Sequence, residues 1–236
     1  MALLTKLIDV TKCTGCRACQ VACKQWNQLP TEVEPFTGSL QTHSECLPYT
    51  WTIVNFTERI NNGNLEWLFR KHGCMHCQDA TCISTCGAGA YSRTDVGSVS
   101  RDPDICIGCS QCERECPYLV PKVTVDDTGK YARSCKFCWD RVGNGLTPAC
   151  AKACTTGAIQ FGERTAMISA ANARVSEIVG QLPEANVYGV NEMHGTLVIY
   201  VLPYIPSVYG LTAGQQNPKT GSYDYKPYYT TNPNGY

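Results

Sequence analysis

Sixteen of the 17 cysteines in this 236-residue chain fall into four groups of four. Cys13, Cys16, Cys19 and Cys23 are spaced C-x2-C-x2-C-x3-C, and Cys106, Cys109, Cys112 and Cys116 repeat that spacing with Pro117 behind it. Cys74, Cys77, Cys82 and Cys86 read C-x2-C-x4-C-x3-C, while Cys135, Cys138, Cys150 and Cys154 widen the middle gap to eleven residues. Three thiolates two residues apart can curl a short loop around one face of an iron-sulfur cubane. The fourth then faces elsewhere, and in proteins with two clusters it ligates the second one. Gly15 and Gly108, each just before a second cysteine, suit a turn held tightly against metal. The chemistry expected is one-electron transfer through four 4Fe-4S clusters, with iron held by these sixteen cysteines and no catalytic residue.

Zinc favours pairs of C-x2-C and four ligands in all, so the last group taken alone also fits zinc. The two tight runs are different, with a third cysteine two residues on and a fourth three later, unlike the separated pairs of a tetrahedral zinc site. An odd cysteine count forbids complete disulfide pairing within one chain, and Met1 to Val10 lacks a signal-peptide pattern, so metal ligation is preferred over disulfides. Cys46, outside the groups, reads as a buried free thiol.

The elements that must position these groups are legible in part. Tyr49 to Thr57, then Asn61-Asn62-Gly63-Asn64, then Leu65 to Arg70 read as a β-hairpin, with Trp51, Ile53 and Phe56 as packing residues. Thr165 to Leu182 places Ile168, Ala171, Val175, Ile178, Val179 and Leu182 at near-helical intervals, which predicts an amphipathic helix. Thr196 to Leu202 predicts a short strand able to pair with the hairpin. From Gln215 onward Gly, Pro, Asn and Tyr dominate. That tail reads as an arm laid across another subunit, or as a loose end. His43, His72, His76 and His194 show no ligand-pair spacing, and His76 reads as a hydrogen-bond donor near sulfur.

Composition narrows the partners. Charged residues make up 17% and the formal net charge is zero, which disfavours nucleic-acid binding through a basic field. Low charge also implies surface covered by partners. The longest apolar run, Leu197 to Tyr204, is about half of the roughly 20 residues a spanning helix needs, so no direct membrane span is expected. No phosphate loop, G-x-S-x-G or G-x-G-x-x-G motif marks a substrate site. Lys130, Arg133, Lys136, Arg141 and Lys152 surround the last group against one acid, Asp140. A cation beside a cluster raises its reduction potential, because an added electron adds negative charge. The alternative is a solvated basic face.

With these motifs in view, the chain resembles the four-cluster ferredoxin-like subunits of molybdenum or tungsten oxidoreductases in the dimethyl-sulfoxide-reductase superfamily. It is most similar to the iron-sulfur (beta) subunit of membrane-associated formate dehydrogenases. The likeness spans about residues 5 to 211 and includes Cys19-Gln20-Val21-Ala22-Cys23, Leu65-Glu66-Trp67-Leu68, Cys74-Met75-His76-Cys77, Pro148-Ala149-Cys150 and Thr156-Gly157-Ala158-Ile159. It implies an α+β fold of two interleaved ferredoxin-like units. The boundaries are 1–23 with 130–162, an insert with the hairpin at 24–73, a second unit at 74–129, a helix and strand at 163–214 and an extended arm at 215–236. It also implies crossed ligand sets. Cys13, Cys16 and Cys19 would share a cluster with Cys154, and Cys135, Cys138 and Cys150 one with Cys23. Cys74, Cys77 and Cys82 would join Cys116, and Cys106, Cys109 and Cys112 would join Cys86. Nitrate-reductase-type subunits are expected to carry tryptophan where this chain has Cys109, so four cubanes are implied. Cys86 and Cys154 lack the proline that often follows such runs.

The function implied is an electron-transfer subunit relaying electrons from a formate-oxidising catalytic subunit with a bis-pterin metal to an acceptor such as a cytochrome b. The alternatives are the same role in a polysulfide, thiosulfate or dimethyl-sulfoxide reductase complex, or a freestanding polyferredoxin. The membrane-anchored relatives are expected to add a transmembrane helix that this chain lacks. Transport as the folded passenger of a partner would place it on the outer, periplasmic face, and a cytoplasmic placement remains the alternative.

Overall fold

The strongest β-forming segments near the two ends of the described chain meet in one sheet. The computed structural model describes residues 3–36, 38, 40–41, 43–127 and 129–211. Its elements run β1 (Leu4–Asp9), α1 (Ala18–Trp26), β2 (Thr52–Asn61), β3 (Asn64–Gly73), α2 (Thr81–Ser84), β4 (Tyr91–Arg93) and β5 (Val99–Arg101). They continue α3 (Gln111–Glu115), β6 (Lys122–Asp126), β7 (Gly129–Arg133), α4 (Trp139–Val142), α5 (Ala149–Lys152), β8 (Ile159–Glu163), α6 (Arg164–Ile178), β9 (Asn186–Tyr188) and β10 (Val198–Leu202). The main sheet has the order β8-β1-β10-β9, with β1 parallel to β10 and the other pairs antiparallel.

Parity along these strands decides what each residue faces. Leu7, Ile199 and Val201 turn toward α6, where Ala171 and Ile178 complete a buried cluster. Each fully buried aliphatic side chain there contributes roughly 1.5–3 kcal/mol. Lys6, Ile8, Val198, Tyr200 and Leu202 alternate with that set, and the apolar members of this other face pack toward the cysteine groups. Arg174 on α6 donates to Asp9 Oδ2 at 3.0 Å, while Asp9 Oδ1 accepts from Thr11 N at 3.0 Å. The helix thereby anchors the segment leading into Cys13.

The hairpin β2-β3 forms with full register from Thr52↔Gly73 to Asn61↔Asn64. Asn62 and Gly63 both have positive φ, +49° and +80°, as a two-residue type I′ turn requires. The helix after the cysteine groups also forms, one residue earlier than expected and ending at Ile178. One expectation fails. β10 pairs with β1 and β9 rather than with the hairpin. Its five residues are all buried, and such a strand needs partners on both edges and cover on both faces. Tyr200 reaches the hairpin, its Oη donating to Lys71 O at 2.9 Å. The tyrosine-bearing arm lies outside the described residues. Among those described, no helix is long and apolar enough to cross a membrane.

Candidate functional site

Each cysteine group sits on a loop that feeds a helix, of nine residues for the first group and of only four or five for the others, and helices that short cannot stand alone. The loops share one backbone device. The residue before the second cysteine adopts a left-handed conformation in every group: Gly15 at φ +69°, His76 at +49°, Gly108 at +64° and Phe137 at +62°. This turn aims amides back at sulfur. His76 N donates to Cys74 Sγ at 3.5 Å and Phe137 N to Cys135 Sγ at 3.4 Å. Ala90 N likewise reaches Cys86 Sγ at 3.3 Å.

Gly108 has a second reason to be glycine. A Cβ there would lie 2.7 Å from the carbonyl oxygen of Lys130 and 2.5 Å from its Cγ. Gly108→Ala is therefore expected to destabilise the loaded protein by roughly 1–3 kcal/mol through strain and overpacking. The mutant should melt several degrees lower than wild type under anaerobic calorimetry. Gly157→Ala, with the same left-handed φ but open space around it, should cost less.

The sixteen thiols are brought together across the sequence. Cys13, Cys16, Cys19 and Cys154 line one small cavity with Lys71, Val54 and Ile159. α1, bearing Cys19 and Cys23, packs on α5, bearing Cys150. Cys23 is pushed well up by burial first, then by the charges of Cys135, Cys150 and Cys138. Burial pushes Cys138 up to about 11, with Cys135 and Cys150 adding to it. On the other side α2 packs on α3. Burial raises Cys82 well above its ordinary value, and the charges that add to it are Cys74, Cys116, Cys77 and Cys112. Burial pushes Cys112 up to about 11 against a hydrogen bond from Tyr91, and Cys106, Cys116 and Cys109 add to it. Cys86 shares an apolar cluster with Cys106, Cys112 and Cys82. Cys16 and Cys109 are the exposed members.

Buried thiols held this far up are protonated at neutral pH unless a metal takes the proton's place, and ligation deprotonates a thiol outright. The residues present fit 4Fe-4S clusters on three counts. Soft thiol donors from two distant loops, Cys13, Cys16, Cys19 and Cys154, line one cavity, backbone amides point at sulfur, and His76 keeps a fully buried Nε2 with no hydrogen-bond partner among the described residues. Val99 N donates to His76 Nδ1 at 3.1 Å, so the ring proton belongs on Nε2, on the side of Cys135.

Two ammonium groups that the cysteine pattern did not signal complete the site. Lys6 is 1% exposed and Lys71 5%. Lys6 Nζ lies 3.9 Å from Cys135 Sγ and 4.4 Å above the centroid of the Phe137 ring. Burial works to lower the pKa of each lysine. The thiolates of Cys135, Cys150 and Cys138 outweigh it at Lys6, and those of Cys150, Cys19 and Cys135 outweigh it at Lys71, so both are raised. No carboxylate is among the main charges acting on either lysine. Burying a cation without a counter-charge costs several kcal/mol, so these positions presuppose negative charge where the thiols gather. Strand parity on β1 could have nominated Lys6, since it alternates with Leu7 and shares a face with Ile8.

The basic stretch singled out in the sequence is occupied differently. Arg133 pairs with Asp126 at 2.6 Å, Arg141 stacks on Trp26 at 4.2 Å and Lys136 lies over Trp51 at 5.5 Å, while Lys130 and Lys152 are exposed. Cys46 is fully buried, and burial pushes its thiol up to about 12. His194 pairs with the buried carboxylate of Asp79.

Paired cysteine loops on short helices, closed by small antiparallel ribbons, define an iron-sulfur protein of the ferredoxin-like electron-transfer class. The family of 4Fe-4S dicluster domains matches residues 65–164. Among curated proteins, the chain is 42% identical over 203 residues to the nitrate-inducible formate dehydrogenase iron-sulfur subunit of Escherichia coli (strain K12), covering 85% of this chain and 68% of that one. It is 40% identical over 210 residues to the formate dehydrogenase-O iron-sulfur subunit of the same organism, covering 87% and 69%. A third relative, the formate dehydrogenase 2 subunit beta (cytochrome c-553) of Nitratidesulfovibrio vulgaris, is 34% identical over 209 residues, with 83% and 91% covered. The chain belongs to the formate dehydrogenase iron-sulfur subunit family. It is an electron-transfer subunit of an oxidoreductase complex rather than its catalytic one.

Proposed function

We propose that this subunit carries electrons, one at a time, from a formate-oxidising subunit holding a molybdenum or tungsten bis-pterin to an electron acceptor, along four 4Fe-4S clusters. The observation that carries the reading is the crossing of the cysteine groups: Cys154 lies at the cavity of Cys13, Cys16 and Cys19, while Cys23 faces Cys135, Cys138 and Cys150. For the second pair we read the same crossing: Cys74, Cys116 and Cys77 are the leading charges on Cys82, and Cys86 shares an apolar cluster with Cys106 and Cys112 as well as with Cys77 and Cys82. A 4Fe-4S cluster supplies reversible storage of a single electron in a thiolate cage.

The chain's own residues hold and order these positions. Crossing makes each pair of groups one ferredoxin-like unit, the first from residues 1–23 and 130–162, the second from 74–129. The units meet where Cys74 feels the charge of Cys135. At the two ends Cys16 and Cys109 come to the surface. The Cys16 end faces the catalytic partner and the Cys109 end the acceptor. The name of the Nitratidesulfovibrio relative, which includes cytochrome c-553, supports a cytochrome c as the acceptor; a cytochrome b subunit is the alternative acceptor.

Cys154→Ala in the intact complex tests this. The variant is expected to lose about four of roughly sixteen irons per chain. Formate should then no longer reduce the remaining clusters, while a small dye still accepts electrons directly from the partner. Unchanged formate-dependent reduction of every cluster, or a wild-type chain that elutes without a large pterin-bearing subunit, would overturn the reading.

A further inference from the structure

The four left-handed loop positions are not filled alike. The outer loops carry Gly15 and Gly108, whereas the two loops that meet at the junction carry His76 and Phe137. A side chain in that conformation costs roughly 1–2 kcal/mol, which glycine avoids. The two rings pack edge to face with centroids 4.7 Å apart, both fully buried. Lys6 closes the arrangement from β1, its ammonium over the Phe137 ring and beside Cys135 Sγ. His76 grows from the loop of Cys74 and Cys77, yet the proton on its buried Nε2 faces Cys135, in the other unit. One cysteine thus receives a buried positive charge and a buried N–H from two different elements. In the second unit a hydrogen bond from Tyr91 reaches Cys112 and the half-buried Arg93 acts on Cys77, while the buried cation is compensated. There Lys122 is neutralised by Glu45 at 2.6 Å and Glu113 at 3.6 Å.

We propose that Lys6 and His76 together raise the reduction potential of the cluster that Cys135 ligates, making the junction between the two units the place where an electron comes to rest. This deepens the relay reading above and rests on it. The step is the gain and later loss of one electron. Formate oxidation in the partner supplies it, the acceptor side removes it, and Lys6 and His76 keep their protons throughout. Both are positioning residues. A fixed positive charge and an aimed N–H each stabilise added negative charge on sulfur, and low local polarity strengthens both effects.

The test is a redox titration of the anaerobically purified complex, followed by electron paramagnetic resonance. Cys138→Ser marks the relevant signal by altering its line shape. Lys6→Met and His76→Phe are each expected to move that one midpoint to lower potential and leave the others in place, whereas Lys6→Arg keeps it near wild type. Unmoved midpoints in Lys6→Met at full iron content would overturn the proposal. So would a Lys6→Arg shift as large as that of Lys6→Met, which would point to packing instead of charge. Should Lys6→Met fail to assemble, His76→Phe decides alone: a lowered midpoint of the marked signal supports the assignment, and an unmoved one defeats it. Iron well short of sixteen atoms per wild-type chain would instead sink the four-cluster reading beneath it, before any potential is compared.

Discussion

Stripping iron from the purified subunit with an oxidant and a chelator is expected to unfold its cysteine-bearing regions, not merely to bleach them. Helices α2 to α5 have four or five residues each, and α2, α4 and α5 lack a side-chain cap at their starts, as does the left-handed start of α3 at Ser110. Segments so short gain nothing from propagation to offset their nucleation. Buried thiols and amides aimed at sulfur hold them instead, and in small metal domains ligation contributes on the order of 10 kcal/mol to folding. Near-ultraviolet circular dichroism and the cooperative melt should both collapse, and trypsin should cut freely within 74–154. Helix α6 and its sheet face, packed through Leu7, Ala171, Ile178, Ile199 and Val201, have no thiol in their contact and should resist longest. An apo-protein melting within a few degrees of the loaded form would show that the fold does not depend on its metal.

Reversing the charge of Lys71 should be nearly as damaging. Lys71 is buried on β3, opposite Val54, and lines the cavity shared by Cys13, Cys16, Cys19 and Cys154. Its raised pKa means that the ammonium is charged throughout the physiological range, with the thiolates of Cys150, Cys19 and Cys135 holding it so. Removing one partner of a buried charge interaction costs about 3–5 kcal/mol, which is the expectation for Lys71→Met. Lys71→Glu adds repulsion to that loss and should yield protein deficient in iron. Lys71→Arg, which keeps the charge on a longer side chain, should retain most of it. Iron content per chain and the anaerobic melting temperature separate the three variants. Full iron in Lys71→Glu would show that the cavity carries no net negative charge.

What the sequence disclosed and what it withheld divide along a physical line. Ligand spacing, the Asn62-Gly63 turn and the helical period from Ile168 to Ile178 are local, and each was readable because neighbouring residues alone determine it. Lys71 and the meeting of His76 with Phe137 were not readable, because they depend on which strands pair, and Lys6 was open only to a parity argument along β1. A lysine on a strand signals nothing until its parity and its cover are known. The local charge count pointed to Lys130 through Lys152 as cations near the last group. Arg133, Lys136 and Arg141 are instead taken up by a carboxylate and by aromatic faces. The pairing of β10 failed for the same reason: a strand buried on both faces finds its neighbours by topology, and β1 lies about 190 residues upstream.

That β1–β10 pairing has a consequence for biogenesis. A nascent chain leaves the ribosome from its amino end, so the first cysteine loop emerges long before Cys154 and before the strand that flanks its own. Until Val198–Leu202 has been made, β1 lacks its parallel neighbour, and Lys6 is left on a strand with an open edge. On the ligand sets proposed above, the unit that combines the earliest and latest cysteines can be completed only once Cys154 and Val198–Leu202 have emerged, whereas the one between Cys74 and Cys116 can close earlier in translation.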